Sequence, residues 1–296
     1  MDIPSSWAAS AEEIQRHAWR TILVIGATDR GKSTYCHYLS RCLLAAGDRV
    51  ALVDADIGQK DMGPPGTITL GYPDAVTPLH RLQPAAWYFV GAVSPAEHMC
   101  SMVAGTQQLT EAAQAAHVIV NTTGFVHGLG RRLKGRKIEA LEPDVMISLA
   151  RDRELHALLA PYSHIRTLHL LPSPQARGKS PQQRQANREE AFRRYFAEAQ
   201  NISLPRRQVQ IQERTSEDII ALAGMPMGFK RYLLCGVANR QGHGAGLAIL
   251  THIDVDTDTL HLHTPVAPEQ LRMLQLGYLY IRPDGKELGR RDAPAP

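Results

Sequence analysis

Four residues, Gly26, Gly31, Lys32 and Ser33, satisfy G-x-x-x-x-G-K-[ST] within "GATDRGKST". A loop that grips phosphates must turn its backbone N–H groups inward, so glycine stands where a side chain would block the anion. Gly26, Thr28, Asp29, Arg30 and Gly31 supply that backbone, and a following helix offers its positive N-terminus. Lys32 is expected to reach the β- and γ-phosphates, with the Ser33 hydroxyl on Mg²⁺. The match lies between an apolar run, "TILVIG", and a helical pattern, which is the context such a loop requires.

A second set of chemical residues closes the next apolar run. "VALVDADIGQKDMGPPGTITL" carries Asp54 and Asp56 two residues apart, so alternation puts them on one face of a strand end. Ligands of open α/β sheets bind at that edge. Either carboxylate could hold Mg²⁺ through water or take a proton from an attacking hydroxyl. Gln59 fits a residue that positions a nucleophile or phosphate oxygen, and equally an ordinary loop amide.

Elements that could position these residues are legible along the chain. "TILVIG", "RVALVDAD", "AAWYFVGAV", "HVIVNTTG", "DVMISLA" and "IRTLHLL" are short, almost continuous apolar runs, as in strands covered on both faces. "KSTYCHYLSRCLLAAG" has Tyr35, Leu39, Cys42, Leu43 and Ala46 at helical spacing, with Gly47 to end it. "SPAEHMCSMVAGTQQLTEAAQAA" predicts a helix capped by Ser94, with Pro95 at its first position and Glu97 near the reciprocal capping position. Strand and helix alternate, so the expected fold is α/β: a three-layer P-loop NTPase domain around a mostly parallel sheet. After about Ser203 the pattern changes to "RRQVQIQ", "KRYLLCGVA", "GLAILTHIDVD", "TLHLHTP" and "LGYLYIRPDG", with "DVDTDTL" as a hairpin turn. The expected division is residues 1–202 and a smaller β-rich domain, 203–296, whose tail "RRDAPAP" frays.

Bulk properties exclude several classes. The 296 residues are 44% hydrophobic and 21% charged, a globular composition. No apolar run approaches the ~20 residues of a membrane span. "MDIPSSWAASAEEIQRH" lacks the layout of a secretory signal, and a soluble cytoplasmic protein is expected. Cys36, Cys42, Cys100 and Cys235 form no C-x-x-C pair, and the 13 histidines form no H-E-x-x-H cluster. The formal net charge of +4 permits an anionic partner. Its distribution says more: "GRRLKGRK" is basic, as is the stretch holding Arg177, Lys179, Arg184, Arg188, Arg193, Arg194, Arg206 and Arg207.

"GATDRGKST", "DADIGQ" with "GPPGTITL", "NTTGFVHGLG" and an arginine-rich segment ending "RRYF" occur in this order. Together they resemble the polynucleotide 5′-hydroxyl kinase family. That family includes the RNA kinase subunit of the mRNA cleavage and polyadenylation factor, the pre-ribosomal RNA-processing kinase and smaller prokaryotic relatives. The resemblance spans Thr21 to Phe196 and continues more loosely to "LGYLYIRPDGKELG". It implies transfer of the ATP γ-phosphate to the 5′-hydroxyl end of RNA or DNA, with ATP and Mg²⁺ as cofactors.

Carried onto this chain, the resemblance gives Lys32 and Ser33 the phosphates and Mg²⁺, with Thr34 assisting. Asp56 becomes the base or orienter of the hydroxyl, Gln59 its neighbour on the nucleophile or metal, and Asp54 a metal-side carboxylate. "NTTGF" is similar to the family's T-x-G-W clasp: Thr122 and Gly124 match, Thr123 lies between them, and Phe125 replaces Trp. A Phe face still stacks on a base, over a smaller area and without the indole donor; core packing at a strand end is the alternative. "LPSPQARGKSPQQRQANREEAFRRYF" is similar to the arginine lid, with Arg184 as its second arginine. The first falls on Lys179, with Arg177 nearby, and Lys supplies charge without the guanidinium fork. Arg188 shares a helix face with Arg184 and fits substrate binding or a plain surface helix. The basic run "RRLKGRK" is expected to contact a polymer backbone. A rival reading is an ATP-dependent switch or assembly factor that binds nucleic acid without end-kinase activity. No N-K-x-D guanine-reading motif is present, which disfavours a GTPase, and the open clasp disfavours a small-molecule kinase.

Overall fold

The computed structural model describes residues 3–212, 231–239 and 242–290, in two compact units. The first comprises Met1–Gly63, Ile68–Ala85 and Ser94–Pro181, the second Pro64–Thr67, Ala86–Val93 and Gln182–Pro296.

The chain runs through α1 (Ser5–His17), β1 (Thr21–Ile25), α2 (Lys32–Ala45), β2 (Val50–Ala55), β3 (Thr67–Gly71) and β4 (Ala86–Phe89). It continues through α3 (Met99–Ala112), β5 (His117–Thr122), α4 (Leu129–Leu141), β6 (Val145–Leu149), α5 (His156–Leu159) and β7 (Arg166–Leu170). In the first unit the spatial strand order is β3-β2-β5-β1-β6-β7. β1 pairs in parallel with β5 and β6, β2 with β5, and β6 with β7, while β3 runs antiparallel to β2. Every residue of β1, β2, β5 and β6 is buried, which is why their sequences read as continuous apolar runs.

Alternation splits those residues between two faces. Ile22, Val24, Leu52 and Ile119 join Trp7, Ile14, Tyr35, Leu39 and Leu43 of α1 and α2 in one core. Leu23, Val53, Val118 and Val120 point the other way. There α3 packs on β2 and β5, and α4 on β1. The three-layer expectation therefore holds. Two details differ from the sequence reading. α1 was not anticipated, although Trp7, Ala11 and Ile14 carry a helical stripe. The helix expected from Ser94 begins at Met99, without a side-chain cap.

The second unit holds α6 (Pro181–Tyr195, from Gln182 onward), β8 (Gln200–Pro205), β9 (Gln210–Gln212), β10 (Leu233–Ala238), β11 (Gly244–Asp254), β12 (Thr259–Thr264), β13 (Met273–Ile281) and β14 (Glu287–Arg290). The sheet order is β14-β13-β10-β11-β12-β8, with β9 added in parallel to β13. β11 and β12 form the hairpin expected at "DVDTDTL". Leu234, Leu247, Ile249, Leu279 and Ile281 on one face pack with Phe89, Phe192 and Phe196. Phe192 and Phe196 explain why α6 belongs to this unit, whereas the sequence pattern put the division after residue 202. Residues 291–296 of the expected frayed tail lie outside the described residues.

Candidate active site

Three of the singled-out stretches leave the C-terminal ends of three adjacent strands. The order β2-β5-β1 places "DADIGQ", "NTTGF" and "GATDRGKST" side by side. Gly26 follows β1 beside Leu149 of β6. Gly31 caps α2 at φ 81°, a left-handed conformation that glycine adopts without strain, and its Cβ position meets nothing within 4 Å. Lys32 is buried, and its ammonium donates to the Ala27 carbonyl at 2.9 Å. Arg30 forms a two-pronged pair with Glu154, both contacts at 2.9 Å. That hydrogen bonding holds the Glu154 carboxyl below the usual carboxylate range. Ser33 and Thr34 open α2, half-buried.

Asp54 is a structural hub. Its Oδ1 accepts the Asp56 N–H at 3.2 Å and the Asn121 amide at 3.2 Å. Its Oδ2 accepts the N–H groups of Asp61 and Met62 and pairs with Lys60 at 3.1 Å, both charged side chains being fully buried. The Asn121 amide also donates to Ser33 Oγ at 3.3 Å, joining the carboxylate strand to the phosphate loop. Asp56 differs: Oδ1 accepts the N–H groups of Gly58 and Gln59, and no hydrogen bond among the described residues reaches Oδ2. The Gln59 side chain donates to the Gly58 carbonyl at 2.8 Å, at the same edge. Asp61 reaches the Ser33 hydroxyl, and burial together with the Asp54 charge pushes its carboxyl up to about 6.

The segment after β5 packs directly on the phosphate loop. A Cβ on Gly124 would lie 2.3–2.6 Å from atoms of Thr28, whose hydroxyl donates to the Gly124 carbonyl at 3.4 Å. The Thr122 hydroxyl is committed to the Val24 carbonyl, 2.8 Å away. Phe125 is half-buried and close against Gly130 of α4. The basic run falls on α4, and part of it turns inward: Lys134 and Lys137 are fully buried. This corrects the expectation of a polymer-contacting surface for those two lysines. Burial holds the Lys134 amine well below its ordinary range and brings Lys137 down to about 7.

Arg177 and Lys179 are exposed on the stretch between β7 and α6. The Lys179 backbone N–H donates to Asp29 Oδ2 at 3.1 Å, so this stretch is fastened to the phosphate loop. Arg184 and Arg188 lie on α6, in the second unit. The Arg188 guanidinium is taken by Glu287, at 2.6 and 2.8 Å.

Residues 26–198 match the family described as mRNA cleavage and polyadenylation factor CLP1 P-loop. The chain belongs to the CLP1 P-loop family. A polyribonucleotide 5′-hydroxyl-kinase of Pyrococcus furiosus is 32% identical, over 93% of this chain and 91% of its own length. Another from Methanocaldococcus jannaschii is 30% identical, over 92% of this chain and 90% of its own length. The polyribonucleotide 5′-hydroxyl-kinase Clp1 of Xenopus tropicalis is 30% identical over 59% of this chain and 43% of its own. Among solved structures, a Clp1p–Pcf11p complex shares the fold with a TM-score of 0.70 at 12% identity, covering 92% of this chain and 78% of that one.

The matched span of the CLP1 P-loop family takes in the phosphate loop, the carboxylate strand end and the segment after β5. It also contains residues to which the motifs give no buried role: Lys60, Asp61, Lys134, Lys137 and Glu154. Lys60 directly follows "DADIGQ", and Lys134 and Lys137 stand three apart in a run rich in arginine. Residue type alone did not separate these buried lysines from surface ones. The donor set suits a hard divalent cation: the Ser33 hydroxyl, the Asp54 carboxylate and the buried Asn121 Oδ1, which has no hydrogen-bond partner among the described residues, stand together.

Proposed function

We propose that this protein is a polyribonucleotide 5′-hydroxyl kinase that transfers the γ-phosphate of ATP to the 5′-hydroxyl end of RNA. The carrying observation is the convergence of Lys32, Asp56 and Thr122–Phe125 on three adjacent strand ends, in a chain aligned with archaeal kinases of that name over most of its length. Lys32 turns from the Ala27 carbonyl to the β- and γ-phosphates. Gly26, Thr28, Asp29, Arg30 and Gly31 surround the phosphates with backbone N–H groups, and Thr34 assists. Ser33, Asp54 and Asp56 would hold Mg²⁺, Asp54 through water because both of its oxygens already accept hydrogen bonds. Bound there, Mg²⁺ neutralises phosphate charge and orients the β,γ linkage.

The acceptor half rests on Asp56, Gln59 and the clasp. The open oxygen of Asp56, Oδ2, faces the 5′-hydroxyl and receives its proton as the O5′–P bond forms and the bond from Pγ to the bridging oxygen breaks, releasing ADP. Gln59 orients the hydroxyl. Phe125 stacks on the terminal base, and Thr123 and Gly124 shape the turn that presents it. Lys179 or Arg177 brings positive charge to the phosphate loop from the stretch fastened to Asp29. The assignment of Arg184 to the lid rests on the sequence pattern. The scattered cysteines fit a reducing, cytoplasmic setting.

The test is end-labelling of matched 5′-hydroxyl RNA and DNA oligonucleotides with ATP and Mg²⁺, comparing the native protein with Lys32→Ala and Asp56→Ala. Labelled RNA ends that vanish in both variants are expected. ATP turnover indifferent to oligonucleotide ends, or no labelled end on any substrate, overturns the reading.

A further inference from the structure

β11 and β12 run out of step by one residue. Leu250 pairs with Leu262 and His252 with His261, so Thr251 is an extra residue between the two pairs. Strict alternation would send His252 to the side of Leu250, which belongs to a buried core. The bulge reverses this: Ile253 packs against that core instead, and His252 joins His261 on the opposite face. The Thr251 hydroxyl donates to the His261 carbonyl at 2.9 Å and fixes the bulge. The two imidazoles lie nearly parallel, their planes 28° apart and their centroids 5.5 Å apart. On the next strand Ser203 pairs with His261, and its hydroxyl stands 2.9 Å from Nδ1. One face of β8, β12 and β11 thus presents oriented rings.

A groove of about 520 Å³ opens there, within the second unit, and Arg231 and Tyr232 complete its lining. Tyr232 has φ 76°, rare for a bulky side chain. Its backbone is held from both sides: the N–H donates to the Leu250 carbonyl at 2.9 Å, and the carbonyl accepts the Ile281 N–H at 2.7 Å. Arg231 is exposed, and no ion pair among the described residues holds its guanidinium. No carboxylate stands among the lining residues. Asp254, two residues beyond His252, is engaged in the hairpin turn, where it accepts the N–H groups of Asp256 and Thr257. Ring faces beside an open guanidinium meet the two demands of a single nucleic-acid strand, base stacking and phosphate charge. An acidic peptide would use the charge and leave the paired rings without a role.

We propose that this groove is a second RNA-binding site, where bases stack on the His252–His261 pair and Arg231 takes a backbone phosphate. That the strand is RNA rests on the reading of this chain as an RNA 5′-hydroxyl kinase. The groove holds the body of the polymer, and the clasp holds its terminal nucleotide.

The test uses the full chain and compares the native protein with His261→Ala, His261→Phe and Arg231→Gln. The substrates are a 5′-hydroxyl oligoribonucleotide of about 20 residues and a 5′-hydroxyl dinucleotide. Anisotropy of the labelled long RNA reads affinity, steady-state transfer reads KM and kcat, and thermal melts check folding. His261→Ala should weaken long-RNA binding by about 5- to 50-fold. It should raise the KM for that RNA by a similar factor, with kcat within about two-fold of native. His261→Phe keeps a ring face and should recover most of the loss. Arg231→Gln should flatten the salt dependence of log affinity by about 0.7, one phosphate contact on a single strand. Arg231 is exposed, so its variant carries the test should His261→Ala fold poorly. The KM values for the dinucleotide and for ATP should stay within about two-fold of native in every variant. Folded variants that bind the long RNA as the native protein does overturn the proposal, whether the groove is idle or takes a protein. Equal losses for long RNA, dinucleotide and ATP also overturn it, by marking damage to the fold. If no RNA end is labelled yet His261→Ala and Arg231→Gln lose the long RNA, the kinase reading falls and the groove stands. If ends are labelled while both variants bind natively, the groove alone falls.

Discussion

The Lys134 ammonium donates to both oxygens of Thr123, the carbonyl at 2.7 Å and the hydroxyl at 3.0 Å. The turn that follows β5 is therefore held from beneath by a side chain eleven residues on in sequence, on the next helix. Lys134→Met strands a buried carbonyl, at about 1–3 kcal/mol. The KM for the oligonucleotide should rise several-fold while ATP affinity stays near native. Separate titrations of the two ligands check this.

Gly124 and Thr28 make a contact that excludes any side chain on the glycine. Gly124→Ala should destabilise the protein by about 1–3 kcal/mol through overpacking. It should also weaken ATP binding, because the displaced atoms belong to the phosphate loop. Urea unfolding and nucleotide titration of one preparation measure both effects.

The two aspartates of "DAD" should fail in opposite ways. Asp54→Ala leaves the buried Lys60 without its counter-charge, though still bonded to the residue-54 carbonyl and Thr69, a loss of about 3 kcal/mol. Asp56→Ala gives up two backbone hydrogen bonds at a half-exposed loop, so stability should change by about 1 kcal/mol. Its kcat should nonetheless drop by about 100-fold or more. Denaturant melts alongside transfer rates separate the two phenotypes.

The Arg30–Glu154 pair predicts a dependence on acid. Hydrogen bonding to Arg30 depresses the folded-state pKa of Glu154, so the stabilisation is fully present above the unfolded-state value. It is lost as pH falls through the depressed one. Glu154→Gln should lower stability at pH 7 by about 1 kcal/mol, given that the pair is partly solvent-exposed. The gap between variant and native protein should close toward pH 3. Urea midpoints across that range decide it.

The parallel sheet was legible because both faces of β1, β2, β5 and β6 are covered, which leaves an unmistakable apolar imprint. β3 and β8 were missed: "TITL" is five residues at most once Gly71 is added, and β8, "QNISLP", mixes polar residues along a partly exposed edge. Lys32, Ser33, Asp54 and Asp56 could be found because loop chemistry dictates residue type at fixed spacing. Strand order could not, since β5 enters between β1 and β2 only through tertiary pairing. That insertion is what brings Asn121 to both Ser33 and Asp54. The lysines of α4 escaped for a different reason: burial is a property of the fold, and the letters around them describe a soluble helix.

The Asp29–Lys179 contact is made by the amide of residue 179, with the lysine side chain left outside it. A main-chain donor is common to nineteen of the amino acids, proline being the exception. Fastening this stretch to the phosphate loop is consequently indifferent to whether Arg or Lys stands there. Substitution at 179 can tune the charge offered to a phosphate while the anchorage persists, so the departure from the lid pattern leaves the mooring of the segment intact.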